Sequence, residues 1–482
     1  MDYSAPLSPL SDHPETSRGA GSQAHTTDFV GMAATTPPRR PKLAARRRPS
    51  PLRAVLAGTA VVAAAVGLTA CGGGSGTGET ASSNVSAGPT AGEDEHLESD
   101  GAEVAAPAPR LVVTYDGGLQ VIDALTLELV ADLPLDGFNR INSAGDQRHV
   151  FVSTAGGFRL LDTGVYAVAH GDHAHYYAAD PILEDGILFA AAKPGHVVAH
   201  DDLTTLFDDA TGHVTVVESD EPEAVLREYD SPAAHHGVAV ALPDGRLVVT
   251  SGTEEERTGI VVLDQDDAVL AESALCPNIH GEGVAAEEAV VFGCQGGALV
   301  YAGGQIVFAA APVPEGRVST VAGSEASSVL LGNYALTGSD GPSTAISLID
   351  SVAGTLKTLD IGTAYNSFTL TEDGTGLVLG TDGRLHVIDL AAGQEIAAYP
   401  VLDPFEVPEA WQDPSPKLLV LEGMAYVTDP AAKTIHVVDP TTGEIWKSGS
   451  LEVTPNEIAG VNGEGAGEHE HDHEGEEGHE DD

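Results

Sequence analysis

The sequence is poor in basic residues, in cysteine and in aromatic side chains. Its 482 residues include 22 Lys and Arg against 73 Asp and Glu, which gives a formal net charge of −51. Such a charge repels phosphate and anionic lipid, so it argues against a nucleic-acid partner and against membrane attachment through a basic patch. Aromatic residues make up only 5% of the chain, which argues against an aromatic-rich binding face. Because 42% of the residues are hydrophobic, we nevertheless expect a folded core.

The few basic residues are concentrated near the N-terminus. Seven of them lie between positions 39 and 53 and precede the uncharged apolar run at 54–70. This order is typical of a secretory signal, because the run is too short for a comfortable membrane span. The run ends in Leu68-Thr69-Ala70-Cys71, which resembles the bacterial lipobox. We therefore predict that residues 1–70 are a signal peptide and that lipid on Cys71 anchors the mature protein to the outer face of the cell membrane. An ordinary signal peptide followed by a chance cysteine is the alternative.

Two further segments have the composition of unfolded chain. Residues 71–109 are rich in Gly, Ser, Pro and acidic residues, without apolar periodicity, and are predicted to be a flexible linker. Residues 463–482 contain 10 acidic residues and four His, and no apolar residue larger than Ala, so a disordered acidic tail is predicted there. The folded domain is therefore expected at 110–462. Without the signal, 14 basic residues face 69 acidic ones, which gives −55 for the mature chain.

Within the folded domain the pattern indicates strands throughout. Short β-branched or alternating runs are separated by Gly, Asp and Asn turns at intervals of about ten residues. Longer units repeat this pattern, and their starts lie near Asn139, His196, His236, His280, Ser319, Ser367 and Lys417. An N-terminal group at 111–133 lacks a first strand, which residues 457–461 can supply. The sequence thus predicts an all-β fold, a β-propeller of eight four-stranded blades closed by the C-terminal strand, with seven blades as the alternative count.

Three consecutive unit starts carry histidine, namely His196, His236 and His280. Equivalent positions of neighbouring blades converge on the central channel, so three imidazoles there can surround a metal ion. Neutral imidazole suits Zn²⁺, with Glu282 or water as the fourth ligand. His200 shares a strand face with His196 and is a candidate deeper ligand or supporting partner. His235, next to His236, is also a candidate ligand.

A second group of candidate ligands lies in a long insertion between the strands at 158–162 and 187–191. It comprises His170, Asp172, His173 and His175, and alternate spacing places the last two on one side of an extended chain.

A third, weaker group is in the tail: His469, His471, His473 and His479. Alternating His and carboxylate there can capture a divalent ion loosely and release it again.

Each group also has an ordinary structural interpretation. A single His at a blade start is more often hydrogen-bonded at a channel rim than bound to metal, and an acidic tail usually serves solubility. The co-occurrence favours metal, since 14 of the 19 His lie in or beside these segments.

Cys276 and Cys294 are the thiols that remain after lipidation of Cys71, and they flank His280. In an extracytoplasmic protein a disulfide is the default expectation, and it would hold the loop of His280 in place. Thiolate ligation of zinc is the alternative.

Several motifs, taken in order, resemble those of the AztD-type zinc metallochaperones. They are His170-Gly171-Asp172-His173, Pro194 to Asp201, His235 to Val240, Cys276 to Glu282 with Phe292-Gly293-Cys294, and Leu331-Gly332-Asn333. The resemblance implies an extracytoplasmic β-propeller, here expected to be a monomer, that stores Zn²⁺ and delivers it to the solute-binding protein of an ABC-type zinc importer without catalysing a reaction. This sequence departs from that pattern in its lipid anchor and in carrying its His-rich segment at the C-terminus.

Two other functions are compatible with the same residues. A metal-dependent propeller hydrolase or lactonase would need an acid or base beside the metal, for which Glu282 and Asp172 are the candidates. A protein-interaction propeller would use the blades as a scaffold, with incidental histidines.

Overall fold

The structure is a computed structural model that describes residues 101–170, 173–339 and 342–465. The predicted signal peptide at 1–70, Cys71, most of the predicted linker and the tail beyond residue 465 lie outside the described residues, as does Asp172. Among the helices of the described part, none has the length and apolarity needed to cross a membrane.

The described residues form 38 strands, β1 to β38. The first nineteen are β1 (Ala102–Val104), β2 (Arg110–Tyr115), β3 (Gly118–Asp123), β4 (Leu129–Pro134), β5 (Arg140–Ser143), β6 (His149–Thr154), β7 (Gly157–Asp162), β8 (Val165–His170), β9 (His173–Ala178), β10 (Ile182–Leu183), β11 (Phe189–Ala190), β12 (Pro194–His200), β13 (Leu203–Asp208), β14 (His213–Glu218), β15 (Val225–Asp230), β16 (Ala239–Ala241), β17 (Leu247–Gly252), β18 (Arg257–Leu263) and β19 (Val269–Ser273). The others are β20 (His280–Ala285), β21 (Ala289–Cys294), β22 (Gly297–Ala302), β23 (Gln305–Ala310), β24 (Gly316–Arg317), β25 (Val321–Ala322), β26 (Val329–Asn333), β27 (Ala335–Leu336), β28 (Ala345–Asp350), β29 (Thr355–Asp360), β30 (Tyr365–Leu370), β31 (Gly376–Gly380), β32 (Arg384–Asp389), β33 (Gln394–Pro400), β34 (Leu418–Leu421), β35 (Met424–Asp429), β36 (Thr434–Val438), β37 (Ile445–Ser450) and β38 (Ile458–Val461). A single 3₁₀ turn, Ala286–Glu288, is the only helical element of this part of the chain.

Most of these strands belong to antiparallel sheets that follow one another along the chain. Their orders are β38-β2-β3-β4, β5-β6-β7 with β10 and β11 on β7, β12 to β15, β16 to β19, β20 to β23, β25-β26-β28-β29, β30 to β33 and β34 to β37. Neighbouring strands in a sheet are joined by short turns, as the sequence pattern predicts. The described residues form ten sheets, of which these eight have four or more strands and the other two are β1-β9-β8 and β24-β27. The all-β propeller class is confirmed, and the count of eight blades stays a prediction.

The ring is closed by the end of the chain. β38 supplies the first strand of the sheet that begins the domain, pairing Val461 with Arg110 and Ile458 with Val113. β38 also contacts β34 and β5, so this strand joins the first sheet to the last sheet and to the second one. Closure leaves the first sheet without an unpaired inner edge.

The core lies between neighbouring sheets. Middle strands are buried on both faces because each sheet is covered by the next sheet on either side, as in β21, where all six residues from Ala289 to Cys294 are buried. Outer strands such as β15 and β37 alternate between exposed and partly buried residues, because only one edge contacts the protein. One buried apolar cluster, for example, joins Val198, Val240 and Phe292 from three successive sheets.

Two segments differ from the sequence prediction. Residues 102–104, which fall in the predicted linker, form β1 and pair with β9. The predicted insertion after β7 is a hairpin of β8 and β9, and the expected fourth strand is divided into β10 and β11, which both pair with β7.

The innermost strands give the channel two distinguishable ends. We call the end at which these strands begin, marked by His196, His236 and His280, the near end. The end at which they finish, marked by His200 on β12 and Val461 on β38, is the far end.

Candidate metal centre

Three imidazoles meet at the near end of the channel. His196, His236 and His280 each present a nitrogen within 4.8 Å of those of the other two. Their ring centroids are 4.9 to 5.2 Å apart, and the Nε2 atoms of His236 and His280 are separated by 2.9 Å. Two nitrogens bound to one tetrahedral zinc lie roughly 3.3 Å apart, given Zn–N bonds of about 2.0 Å. The arrangement therefore fits one zinc ion with little movement.

The other nitrogen of each ring faces an acceptor. His236 Nδ1 donates to Oδ2 of Asp209 at 2.6 Å, and His280 Nδ1 donates to the carbonyl oxygen of Ser319 at 2.7 Å. His196 Nδ1 lies 3.4 Å from Oε2 of Glu282. For His236 and His280 these contacts place the proton on Nδ1. The lone pair of Nε2 then remains available, as a metal ligand requires.

Local backbone features aim these rings into the channel. β20 has a bulge at Gly281, between His280 and Glu282, and β12 has another between Pro194 and Val197. Bulges re-aim side chains and are common beside functional sites. Gly281 has a φ of +69°, and a Cβ there would lie 2.5 Å from the oxygen of Ser319. Glycine at this position thus permits both the bulge and the contact that holds His280.

The electrostatics of the centre favour neutral imidazole. Burial, followed by the charges of His196 and His236, lowers the pKa of His280 to about 4. Burial alone would raise the pKa of Glu282, but His196 and His280 hold it below its usual value. The Nε2 atom of His196 is buried and has no hydrogen-bond partner among the described residues. An unpartnered buried nitrogen is costly, and a metal ion would satisfy it.

Three of the predicted near-end ligands are placed differently. His235 is 1% exposed, and both of its nitrogens are used within the protein: Nδ1 contacts the oxygen of Ala233 at 2.9 Å, and Nε2 lies 3.0 Å from the hydroxyl of Thr250. His235 is thus placed apart from the three-histidine group, and we do not include it in the proposed centre. Glu282 contacts the rear nitrogen of His196, so it orients that ring instead of supplying the fourth ligand.

His200 also lies apart from the three-histidine group. It shares the strand face of His196, as predicted, but four residues of strand span roughly 13 Å, too far for two ligands of one ion. His200 instead groups with Asp201 and Glu288 at the far end.

The predicted insertion carries a second histidine group. His170 and His173 face each other across the hairpin of β8 and β9, and His175 joins them, with ring centroids 5.1 to 5.6 Å apart. His175 Nδ1 lies 2.6 Å from Oε1 of Glu103 on β1. This group is more exposed than the near-end centre, so we expect weaker and faster exchange of any ion it holds.

Cys276 and Cys294 form a disulfide. Both residues are fully buried, and the bond ties the loop before His280 to the end of β21, opposite that histidine. The two sulfurs are therefore committed to each other, which removes thiolate ligation of zinc.

Sequence reasoning missed the residues that hold the rings, namely Asp209, Ser319 and Glu103. Each lies at least 27 positions from the histidine it contacts. For Asp209 the sequence does contain a signal, the doublet Asp208-Asp209 at the end of an apolar strand. Acidic side chains are rarely buried unless they are paired, so an acid at such a position indicates a partner.

The fold and the site together define a β-propeller with three histidines that could hold a metal ion. No family model matches the chain. The chain is 28% identical, over 372 residues, to the zinc chaperone AztD of Citrobacter koseri; the match covers 72% of this chain and 84% of that protein. A crystal structure of Citrobacter koseri AztD superposes with a TM-score of 0.64 at 25% identity, covering 74% of this chain and 98% of the other. The structure of apo AztD from the same organism gives 0.64 at 24% identity, covering 75% and 99%. The resemblance to AztD-type proteins is confirmed.

Proposed function

We propose that this protein is a zinc metallochaperone that binds Zn²⁺ at the near-end centre. The observation that carries the proposal is the convergence of three imidazoles whose Nδ1 atoms face Asp209, Ser319 and Glu282. Such a site can bind a metal ion without rearrangement once its imidazoles are neutral. The similarity to the zinc chaperone AztD supports zinc as the ion. Three histidines supply three of the four ligands of a tetrahedral zinc ion. Water would take the fourth position, and an incoming ligand would displace it.

The open position suits transfer to another protein. A ligand from an acceptor protein can enter before any histidine leaves, so the ion need not pass through a free state. We propose that the acceptor is the solute-binding protein of an ABC-type zinc importer. The predicted lipid on Cys71 would hold the propeller at the outer face of the membrane, near such an importer.

The proposal assigns no catalysed reaction to the centre. A metal-dependent hydrolase requires an acid or base free to act beside the bound water. Glu282, one candidate from the sequence, is occupied with His196 Nδ1.

A transfer assay tests the function. Zinc-loaded mature protein is mixed with a zinc-free solute-binding protein, and the rate of loading is compared with that from a zinc buffer set to the same free zinc activity. Faster loading by the protein is expected, and the His236→Ala variant should fall to the rate of the buffer. Equal rates for the wild-type protein and the buffer would refute the chaperone function.

The tail is tested in the same assay. A chain that ends at residue 465 lacks His469, His471, His473 and His479, and we expect slower transfer with unchanged tight binding. Loss of tight binding would show that the tail belongs to the main site.

A further inference from the structure

A third group of candidate ligands lies at the far end of the channel. His200 Nε2 is 2.8 Å from Oε2 of Glu288 and 3.5 Å from Oδ2 of Asp201, while Nδ1 is 3.7 Å from Oε1 of Glu325. The His200 side chain is only 4% exposed. One buried imidazole thus faces three carboxylates, and no Lys or Arg of the described residues pairs with them.

His200, Asp201 and Glu325 line a cavity of about 590 Å³, and Glu288 contacts His200. The wall is formed by the far halves of β5, β12 and β20 and by the turn after β25. It contains three carboxylates, those of Asp201, Glu282 and Glu325, and no Lys or Arg. A divalent cation would offset this excess of negative charge.

Glu282 also connects this cavity with the near-end centre. The same carboxylate that lines the cavity lies 3.4 Å from Nδ1 of His196. Two strands therefore carry both groups: β12 has His196 and His200, and β20 begins at His280 and leads into the turn with Glu288.

The described chain ends beside the same cavity. The amide of Gly463 donates to the carbonyl of Gln147, and Gln147 lines the cavity. The sequence that follows residue 465 contains the four tail histidines. The far end is therefore where the His-rich tail leaves the propeller.

We propose that His200, Asp201 and Glu288 form a second divalent-cation site, separate from the near-end centre, that holds zinc at the far end of the channel. One nitrogen and several carboxylate oxygens suit zinc less than three imidazoles do, so this site binds it more weakly and releases it faster. Its place next to the root of the tail makes it the exchange point between the propeller and the tail histidines. The choice of zinc over another divalent cation rests on the proposed function.

Crystals of the full mature protein soaked in zinc test the site directly. Anomalous difference maps at the zinc edge should show one peak among His196, His236 and His280 and another between His200 and Glu288. Glu288→Gln should abolish the second peak and keep the first. In solution, native mass spectrometry of the same variant should show one zinc fewer than the wild type.

Glu228→Gln is the matched control, because Glu228 lies 3.6 Å from Nε2 of His213 and is on β15, the outermost strand of its sheet. It should retain every zinc. A near-end peak with no density at His200, or equal stoichiometry in both variants, would overturn the second site and leave the proposed function standing, with His200 and Glu288 an ordinary ion pair. Absence of the near-end peak would instead refute the proposed function.

Discussion

At the scale of single residues, surroundings decide what each histidine does. His235 and His236 are adjacent, yet their side chains lie in different surroundings. His235 enters the core beside the ring of Phe207, with both nitrogens bonded, while His236 reaches the channel and keeps Nε2 available. His235 is therefore a buried polar residue whose nitrogens are paired within the protein, whereas His236 is the one of the two that we propose as a zinc ligand.

Alanine variants of the two neighbours should therefore have opposite effects. His236→Ala should remove tight zinc binding and leave the free energy of unfolding nearly unchanged in the presence of a chelator. His235→Ala should keep the zinc stoichiometry and destabilise the fold by about 1–3 kcal/mol, because it removes a buried ring together with its contacts to Ala233 and Thr250. Zinc titration and chemical denaturation measure the two effects. A loss of zinc in a folded His235→Ala protein would restore that residue to the list of ligands.

Asp209 is predicted to act on zinc through His236. Its carboxylate is nearly buried, holds Nδ1 of His236 and accepts from the amide of Gly237. Asp209→Asn should lower zinc affinity by about 10- to 100-fold, the usual effect of losing a carboxylate behind a ligating histidine. Asp230→Asn, at the surface pair with His213, is the control and should not change affinity. Equal affinities for the two variants would mean that Asp209 does not tune the site.

At the scale of elements, the strands and bulges bring ligands from separate blades into register. The disulfide contributes by joining the loop that leads into β20 to the end of β21. Because both partners are fully buried, this link fixes the start of the strand whose first residue is His280.

Removing the disulfide should weaken both fold and site. The double variant Cys276→Ser and Cys294→Ser opens a link between residues 18 positions apart, which corresponds to about 3 kcal/mol of stability. We expect lower zinc affinity as well, since the loop before His280 gains freedom. Denaturation and zinc titration of the oxidised, reduced and variant proteins check this. Unchanged affinity in a destabilised variant would limit the disulfide to a purely structural role.

Features that depend on neighbouring residues in the sequence could be predicted, and features that depend on contacts between blades could not. Strand alternation and turn residues are local, so the unit starts, the closing strand and the three near-end histidines were all predicted. The acceptors behind the rings come from other blades, so their positions depend on pairing registers that no local pattern encodes. His200 was predicted as a deeper ligand or supporting partner of His196. Its contact with Glu288 joins two blades, so it too could not be read from a local pattern.

At the scale of the whole molecule, the closed ring is what brings distant groups to one channel. The near-end centre and the far-end group are built on the same strands, and the tail begins at the far end. Carboxylates dominate the surface, and a formal charge of −51 raises the local concentration of divalent cations. In the sequence analysis the negative charge argued against a nucleic-acid partner. The same charge is consistent with a protein that binds a metal cation.

Two truncations separate the ring from the tail. A chain ending at residue 465 keeps β38 and should unfold cooperatively with the midpoint of the full-length protein. A chain ending at Asn456 lacks β38, which uncovers the inner edge of β2 and breaks the contacts to β34 and β5. We expect this shorter chain to lose cooperative unfolding and tight zinc binding together, and to associate through the exposed strand edge. Calorimetry, zinc titration and light scattering measure these outcomes. If the shorter chain stayed monomeric and bound zinc tightly, closure by β38 would not be what holds the channel together.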